Sequence, residues 1–132
     1  DVGRSINPAL DKGQIEGAYV QGMGWLTMEE CIWDKKGKLL THGPSTYKIP
    51  VAGDVPEHFN VSLFANQNNK PTPFRSKATG EPPLMLALSS FFALRDAVGA
   101  VSGHRGVVSL DAPATPERIL LACERAKISA RA

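Results

Sequence analysis

Net charge of one sign, cysteine and long apolar runs are all scarce in this chain, and each scarcity excludes something. Fifteen Lys and Arg stand against thirteen Asp and Glu, a formal charge of +2, which spreads no strong basic field for nucleic acid or an anionic membrane surface. No apolar run approaches the roughly 20 residues of a membrane helix, and the opening DVGRSINPAL lacks the basic start and apolar stretch of a signal peptide. The expectation is a soluble, cytoplasmic protein with neither a nucleic-acid nor a membrane partner. The two cysteines, Cys31 and Cys123, form no metal-ligand spacing and read as reduced core thiols. His42, His58 and His104 lie far from one another in sequence and from any ligand-spaced partner, so they read as surface or loop residues rather than a metal set. Ser45, Ser62, Ser89 and Ser90 sit in no nucleophile-elbow pattern, which leaves a covalent hydrolase little support.

What the chain does have is apolar content. Of its 132 residues 42% are hydrophobic, too many for a disordered tail and enough for one domain at most. It begins at Asp1 without an initiator Met and meets a helix signal almost at once, which suggests a piece of a longer polypeptide.

Asn7 before Pro8 predicts a helix start, since Asn caps free amides and Pro at the first helical position loses nothing by lacking an N–H. Ile15, Ala18, Tyr19, Gly22, Met23 and Leu26 then recur on one face, with Glu16, Gln21 and Glu29 elsewhere, which carries the helix to about Glu29. Gly13, Gly17, Gly22 and Gly24 each cost about 1 kcal/mol relative to Ala inside a helix, so something must approach this backbone closely. The runs CIW and KLLT, separated by Asp34-Lys35-Lys36-Gly37, predict a hairpin over 31–41. Pro and Gly break the chain over 42–57, Phe59 to Ala65 alternates like a strand, and 66–80 is a long polar loop. Two prolines open an apolar helix over 82–99, Val107 to Leu110 fits one more strand, and Thr115-Pro116-Glu117 starts a last helix with Ile119, Leu120 and Cys123 on one face. The fold class expected is therefore α+β, helices packed on short, mostly antiparallel strands. The first part of the helix after Pro82 is apolar almost all round, so enclosing it requires a larger host domain.

Two residues draw attention as chemistry. Gln14, a primary amide between glycines, can donate and accept at once, as the edge of a heteroaromatic ring requires, although its plain reading is an exposed helix Gln. Glu81 stands between Gly80 and Pro82-Pro83. A carboxylate at a helix start ordinarily accepts amides of the first turn, which lowers its basicity, but here two of those donors are missing. Such a group keeps the favourable helix dipole while remaining free to act as a general base. The alternative is a simple turn and helix boundary.

The run DVGRSINPALDKGQIEGAYVQGMGWLTMEE, then GPSTYKIP, then SKATGEPPLMLALSSFFALRDAV and SLDAPATPERI, in one colinear order over nearly the whole chain, closely resembles the C-terminal part of the molybdopterin-binding portion of the xanthine dehydrogenase and aldehyde oxidase family. Gly-Glu-Pro-Pro resembles the purine-oxidising members, whereas aldehyde oxidases tend to have Gly-Glu-Ser. The resemblance implies that residues 1–132 are one segment of a larger molybdopterin-binding domain. It implies a molybdenum hydroxylase that converts hypoxanthine and xanthine to urate with oxygen from water and passes electrons through 2Fe-2S clusters to FAD and NAD. Glu81 would then be the general base that deprotonates the molybdenum-bound hydroxyl, and Gln14 and Gly80 would contact the molybdenum-pyranopterin cofactor. No protein metal ligand is implied, because the pterin dithiolene holds the metal. FAD, the iron–sulfur clusters and the residues gripping the purine would belong to the remainder of the subunit or to partner subunits. An aldehyde or other N-heterocycle as substrate, or a non-catalytic assembly role for the isolated segment, are the alternatives.

Overall fold

The computed structural model describes residues 1–130. Three α-helices carry it, α1 (Pro8–Thr27), α2 (Leu88–Ala100) and α3 (Pro116–Ser129). Short 3₁₀ turns occupy Ala52–Asp54 and Pro73–Arg75, and a longer 3₁₀ segment, Pro82–Ala87, runs straight into α2. The helix starts follow their caps. Asn7 Oδ1 accepts from the Leu10 amide at 3.3 Å ahead of Pro8, and Thr115 Oγ1 accepts from the Arg118 amide at 3.4 Å ahead of Pro116.

The α1 face expected from the sequence is the packed one: Ile15, Ala18, Tyr19, Gly22, Met23 and Leu26 are half-buried or buried, while Glu16 and Gln21 are exposed. That face meets chiefly the 3₁₀ segment and, less, α2, and α2 in turn packs on α3. The small core between α2 and α3 is Val98, Ala122 and Ala126, backed by Val108, Leu110, Ile119 and Cys123. Leu120, expected beside Ile119, instead points to the surface.

The α+β expectation is corrected. Among the described residues there is no β-strand, only isolated bridges at Gly3–Ser76 and Trp33–Leu39. A strand exists only where a neighbour completes its ladder, and the alternating residues of 59–65 and the apolar stretch 107–110 have no such neighbour here. The expected hairpin stops at one bridge because side chains take the backbone groups. Asp34 Oδ1 accepts from the amides of Lys36 and Lys38 at 2.8 and 2.9 Å, and Thr41 Oγ1 accepts from the Ile32 amide at 3.0 Å. Gly37, at φ 80°, closes the reversal in the left-handed region. Cys31 lies on this exposed turn, which corrects its reading as a core thiol; Cys123 is half-buried against the core, and both are free.

Two departures concern the segment after Glu81. With no N–H on Pro82 or Pro83, the first amide available is that of Leu84, which donates to the Glu81 carbonyl at 3.1 Å. An i to i+3 bond at the start winds a 3₁₀ helix, so the α-helix begins only at Leu88. Together Pro82–Ala100 makes 19 residues long and apolar enough, by length and composition, to cross a membrane, which corrects the expectation that no such run exists. The core helix of a water-soluble domain passes the same test.

The surface is too large for the mass. The accessible area is 9483 Å², against about 6,800 Å² for a compact monomer of this size. Much of the excess is apolar: Leu10, Trp25, Met85, Leu86 and Phe92 are each more than half exposed.

Candidate functional site

The residues singled out in the sequence meet where the 3₁₀ segment crosses α1. Close approach begins at Gly22. A Cβ there would stand 2.7 Å from both Ala87 Cβ and the Leu84 carbonyl oxygen, so only glycine admits the crossing. Tyr19 Oη and Ser90 Oγ, 2.5 Å apart, fasten α2 to the same side of α1, and the Tyr19 ring packs on Phe59 with centroids 5.0 Å apart. Gly24 performs the same service for the loop after the reversal, where a Cβ would run into Glu29 Oε1 and Pro50. Two of the four helix glycines thus have the close neighbour expected of them. Gly13 and Gly17 have nothing within 4 Å, and their bare backbone faces open space.

Gln14 lies one turn after Asp11 on α1, exposed, its amide without a hydrogen-bond partner among the described residues. A Cβ placed on Gly80 would stand 4.0 Å from Gln14 Oε1, which makes these two residues neighbours across 66 positions of sequence. Glu81 follows immediately. It occupies the N-cap position of the 3₁₀ segment at φ −100°, ψ −44°, and its exposed carboxylate makes no capping hydrogen bond. The local physics is that anticipated from Pro82 and Pro83: the donors that would have captured the carboxylate do not exist.

Sequence reasoning missed the link between these two elements. Asp11 Oδ2 accepts from Ser5 Oγ at 2.5 Å, and Asp11 Oδ1 accepts from Thr79 Oγ1 at 3.3 Å. Nothing local in the sequence signals a bond between positions 68 residues apart. Also missed was Tyr47, whose hydroxyl donates to Glu29 Oε2 at 2.5 Å and ties the GPSTYKIP loop to the end of α1. That hydrogen bond, with partial desolvation and the negative charge of Glu29 adding to it, pushes Tyr47 up to about 12. Two clefts lie away from Gln14 and Glu81: one of about 620 Å³ beside Leu39, Pro44, Tyr47 and Ile49, and one of about 670 Å³ beside Arg4, Asn68 and Arg75. His42, His58 and His104 are exposed or near-surface, as expected, and no group of three His, Cys, Asp or Glu able to hold a metal ion occurs among the described residues.

Residues 1–56 match the family model of the molybdopterin cofactor-binding domain. Over 128 residues the chain is 53% identical to a protein named xanthine dehydrogenase/oxidase from Rattus norvegicus, covering 93% of this chain and 10% of that protein. The chain belongs to the molybdopterin-binding region of the xanthine dehydrogenase family. It spans about a tenth of the length of the curated relatives it matches. Among solved structures it is similar to quinoline 2-oxidoreductase from Pseudomonas putida 86, at 31% identity and a TM-score of 0.78, over 94% of this chain and 15% of that one. The fold is shared further, with CO dehydrogenase from Oligotropha carboxidovorans at 22% identity and a TM-score of 0.76, over 97% of this chain and 15% of that one. A flat polar heterocycle such as a pterin needs amide partners and close backbone approach, and the residues present fit that need: Gln14 has an exposed amide beside side-chain-free Gly80 and unobstructed Gly13.

Proposed function

We propose that this segment contributes the general base and part of the cofactor contact of a cytoplasmic molybdenum hydroxylase acting on hypoxanthine and xanthine. Residues 1–132 are, on this reading, one piece of a larger molybdopterin-binding domain, and the rest of the subunit and an FAD and iron–sulfur unit are its partners. The molybdenum-pyranopterin supplies, when bound, a Lewis-acidic metal that activates water and accepts two electrons from the substrate. Gln14 holds the pterin edge by donating and accepting through one amide. Gly80 leaves the room that a side chain would fill. Glu81 takes the proton from the water-derived nucleophile as it attacks the electron-poor carbon of the purine, a role for a carboxylate not already engaged by the helix behind it.

The observation that carries this reading is the uncapped Glu81 carboxylate, next to a glycine that neighbours the Gln14 amide. The test is Glu81→Gln in the complete enzyme, which keeps volume and hydrogen-bonding reach but removes proton acceptance. Molybdenum content should stay normal while reduction by xanthine slows by about 10²–10⁴-fold, the usual worth of general-base assistance. Dye-linked reoxidation of prereduced enzyme should not change. Reduction within a few-fold of the parent would return Glu81 to the role of a helix boundary. A second reading, oxidation of another N-heterocycle, is favoured by the likeness to a quinoline oxidoreductase. Turnover of hypoxanthine against quinoline and benzaldehyde by the assembled enzyme separates the two.

A further inference from the structure

We propose that Asp11 is a positioning residue that sets where Glu81 stands relative to Gln14, an inference that rests on the base assignment above. The two site elements are remote in sequence and must be registered against each other to within a fraction of an ångström, because a misplacement of about 1 Å can cost about 10²-fold in rate. The chain after Lys77 approaches α1 with little to hold it. Upstream, the Lys77 amide donates to the Val2 carbonyl at 2.9 Å; downstream, the next fixed point is the Leu84 amide on the Glu81 carbonyl and the crossing at Gly22. Between them lie Ala78 to Pro83, and Glu81 contributes no side-chain cap of its own. The hydrogen bond from Thr79 to Asp11 is what ties this stretch to the helix.

Asp11 is suited to that work in three ways. It sits in the first turn of α1, where the helix dipole favours a carboxylate. Its second oxygen is occupied by Ser5 Oγ, which fixes the plane of the carboxylate and so the direction of the oxygen offered to Thr79. It lies three residues before Gln14, and residues three apart on a helix share a side, so one turn of α1 presents the anchor for the loop and the amide proposed for the cofactor. Asp11 to Thr79 and Gln14 to Gly80 then form one register, with Glu81 as the next residue in it.

The test uses the complete enzyme with Thr79→Val, which removes the donor at nearly constant size, and Thr79→Ser, which restores it. Each is made with Glu81 intact and in a Glu81→Gln background. With Glu81 intact, Thr79→Val should slow reduction by xanthine about 2- to 12-fold, the range that one hydrogen bond covers, and Thr79→Ser should return to within about twofold of the parent by the same reckoning. In the Glu81→Gln background Thr79→Val should add nothing, since the group it positions is gone. A readout independent of turnover accompanies these: exchange of the Leu84 amide, which donates to the Glu81 carbonyl, should quicken in Thr79→Val and recover in Thr79→Ser. An equal slowing by Thr79→Val in both backgrounds, no slowing at all, or failure of Thr79→Ser to rescue would overturn the role of Asp11 while the base assignment stands. Loss of the Glu81→Gln defect itself would overturn both.

Discussion

Placing a methyl group at Gly22 probes the crossing on which the site depends. Gly22→Ala in the middle of α1 would, by helix propensity alone, stabilise the chain by about 1 kcal/mol. The structure opposes that gain, because the new Cβ would stand 2.7 Å from Ala87 Cβ and 2.7 Å from the Leu84 carbonyl oxygen, when non-bonded carbon atoms rest at about 3.5–4.0 Å. Neither obstacle can rotate away, since one is a backbone oxygen and the other is an alanine Cβ fixed by its backbone. Overpacking of this kind costs about 1–3 kcal/mol, and the upper part of that range applies, so the net loss should be about 2 kcal/mol, or about 30-fold in a local opening equilibrium. The assay is hydrogen exchange in the assembled enzyme, read on peptides covering Leu84 to Ser90. Those amides should exchange about 30-fold faster in Gly22→Ala by the same conversion. Adding Ala87→Gly removes one of the two clashes, so the double variant should be less perturbed than the two single changes combined. Exchange that is unchanged or slower in Gly22→Ala would show that propensity decides here and that the tight crossing does not hold the 3₁₀ segment.

Three further outcomes are expected. Gln14→Ala in the complete enzyme should lower molybdenum content before it lowers stability, since one amide pair worth about 0.5–1.5 kcal/mol is lost; unchanged metal loading and turnover would leave Gln14 a surface helix residue. Tyr47 is raised from 10.0 to about 12, so the stability contributed by its protonated hydroxyl is fully present below pH 10 and is lost as pH rises through about 12. A phenolate absorbance titration of the parent minus Tyr47→Phe should accordingly show a group ionising well above an ordinary tyrosine, and a difference curve centred at the ordinary value would contradict it. The isolated segment, with its area excess of about 2,700 Å² over a compact chain of its mass, should self-associate and bind a hydrophobic dye; a clean monomer that binds none would count against host enclosure.

The parts of this structure legible in the sequence are those whose cause is local. Asn7-Pro8 and Thr115-Pro116 announce helix starts because the capping groups and the orphan amides lie within three residues of each other. The uncapped state of Glu81 is legible for the same reason: the missing donors belong to its two immediate successors. What failed is what needs a distant partner. Alternation in 59–65 and the β-compatible residues of 107–110 suit an extended chain but do not specify the neighbour that would make it a strand. The thiol of Cys31 could not be placed because its exposure follows from a reversal in which Asp34 and Thr41 side chains replace ladder partners. The helix glycines fall between the two cases. Their density said that something comes close, yet only the structure separates Gly22 and Gly24, pressed by this chain, from Gly13 and Gly17, which this chain leaves open.

The same two prolines that free the Glu81 carboxylate also dictate the geometry that presents it. An α-helix started at Glu81 would need the amide of Met85 on the Glu81 carbonyl, and three orphan amides ahead of it would compete for the side chain. Pro82 and Pro83 delete two of those, and the third, Leu84, is taken by the Glu81 carbonyl itself at 3.1 Å. No donor of the first turn is left for the carboxylate. The price is a 3₁₀ segment, which is weaker per residue than an α-helix and rarely runs beyond three or four residues; this one runs for six. Such a segment persists only where tertiary contact supports it, and the support is visible at Gly22, where Leu84 and Ala87 close on bare helix backbone. The glycine on α1 and the prolines after Glu81 are therefore two halves of one device: the first holds an intrinsically poor helix in place, and the second makes it poor in the way that leaves a carboxylate free.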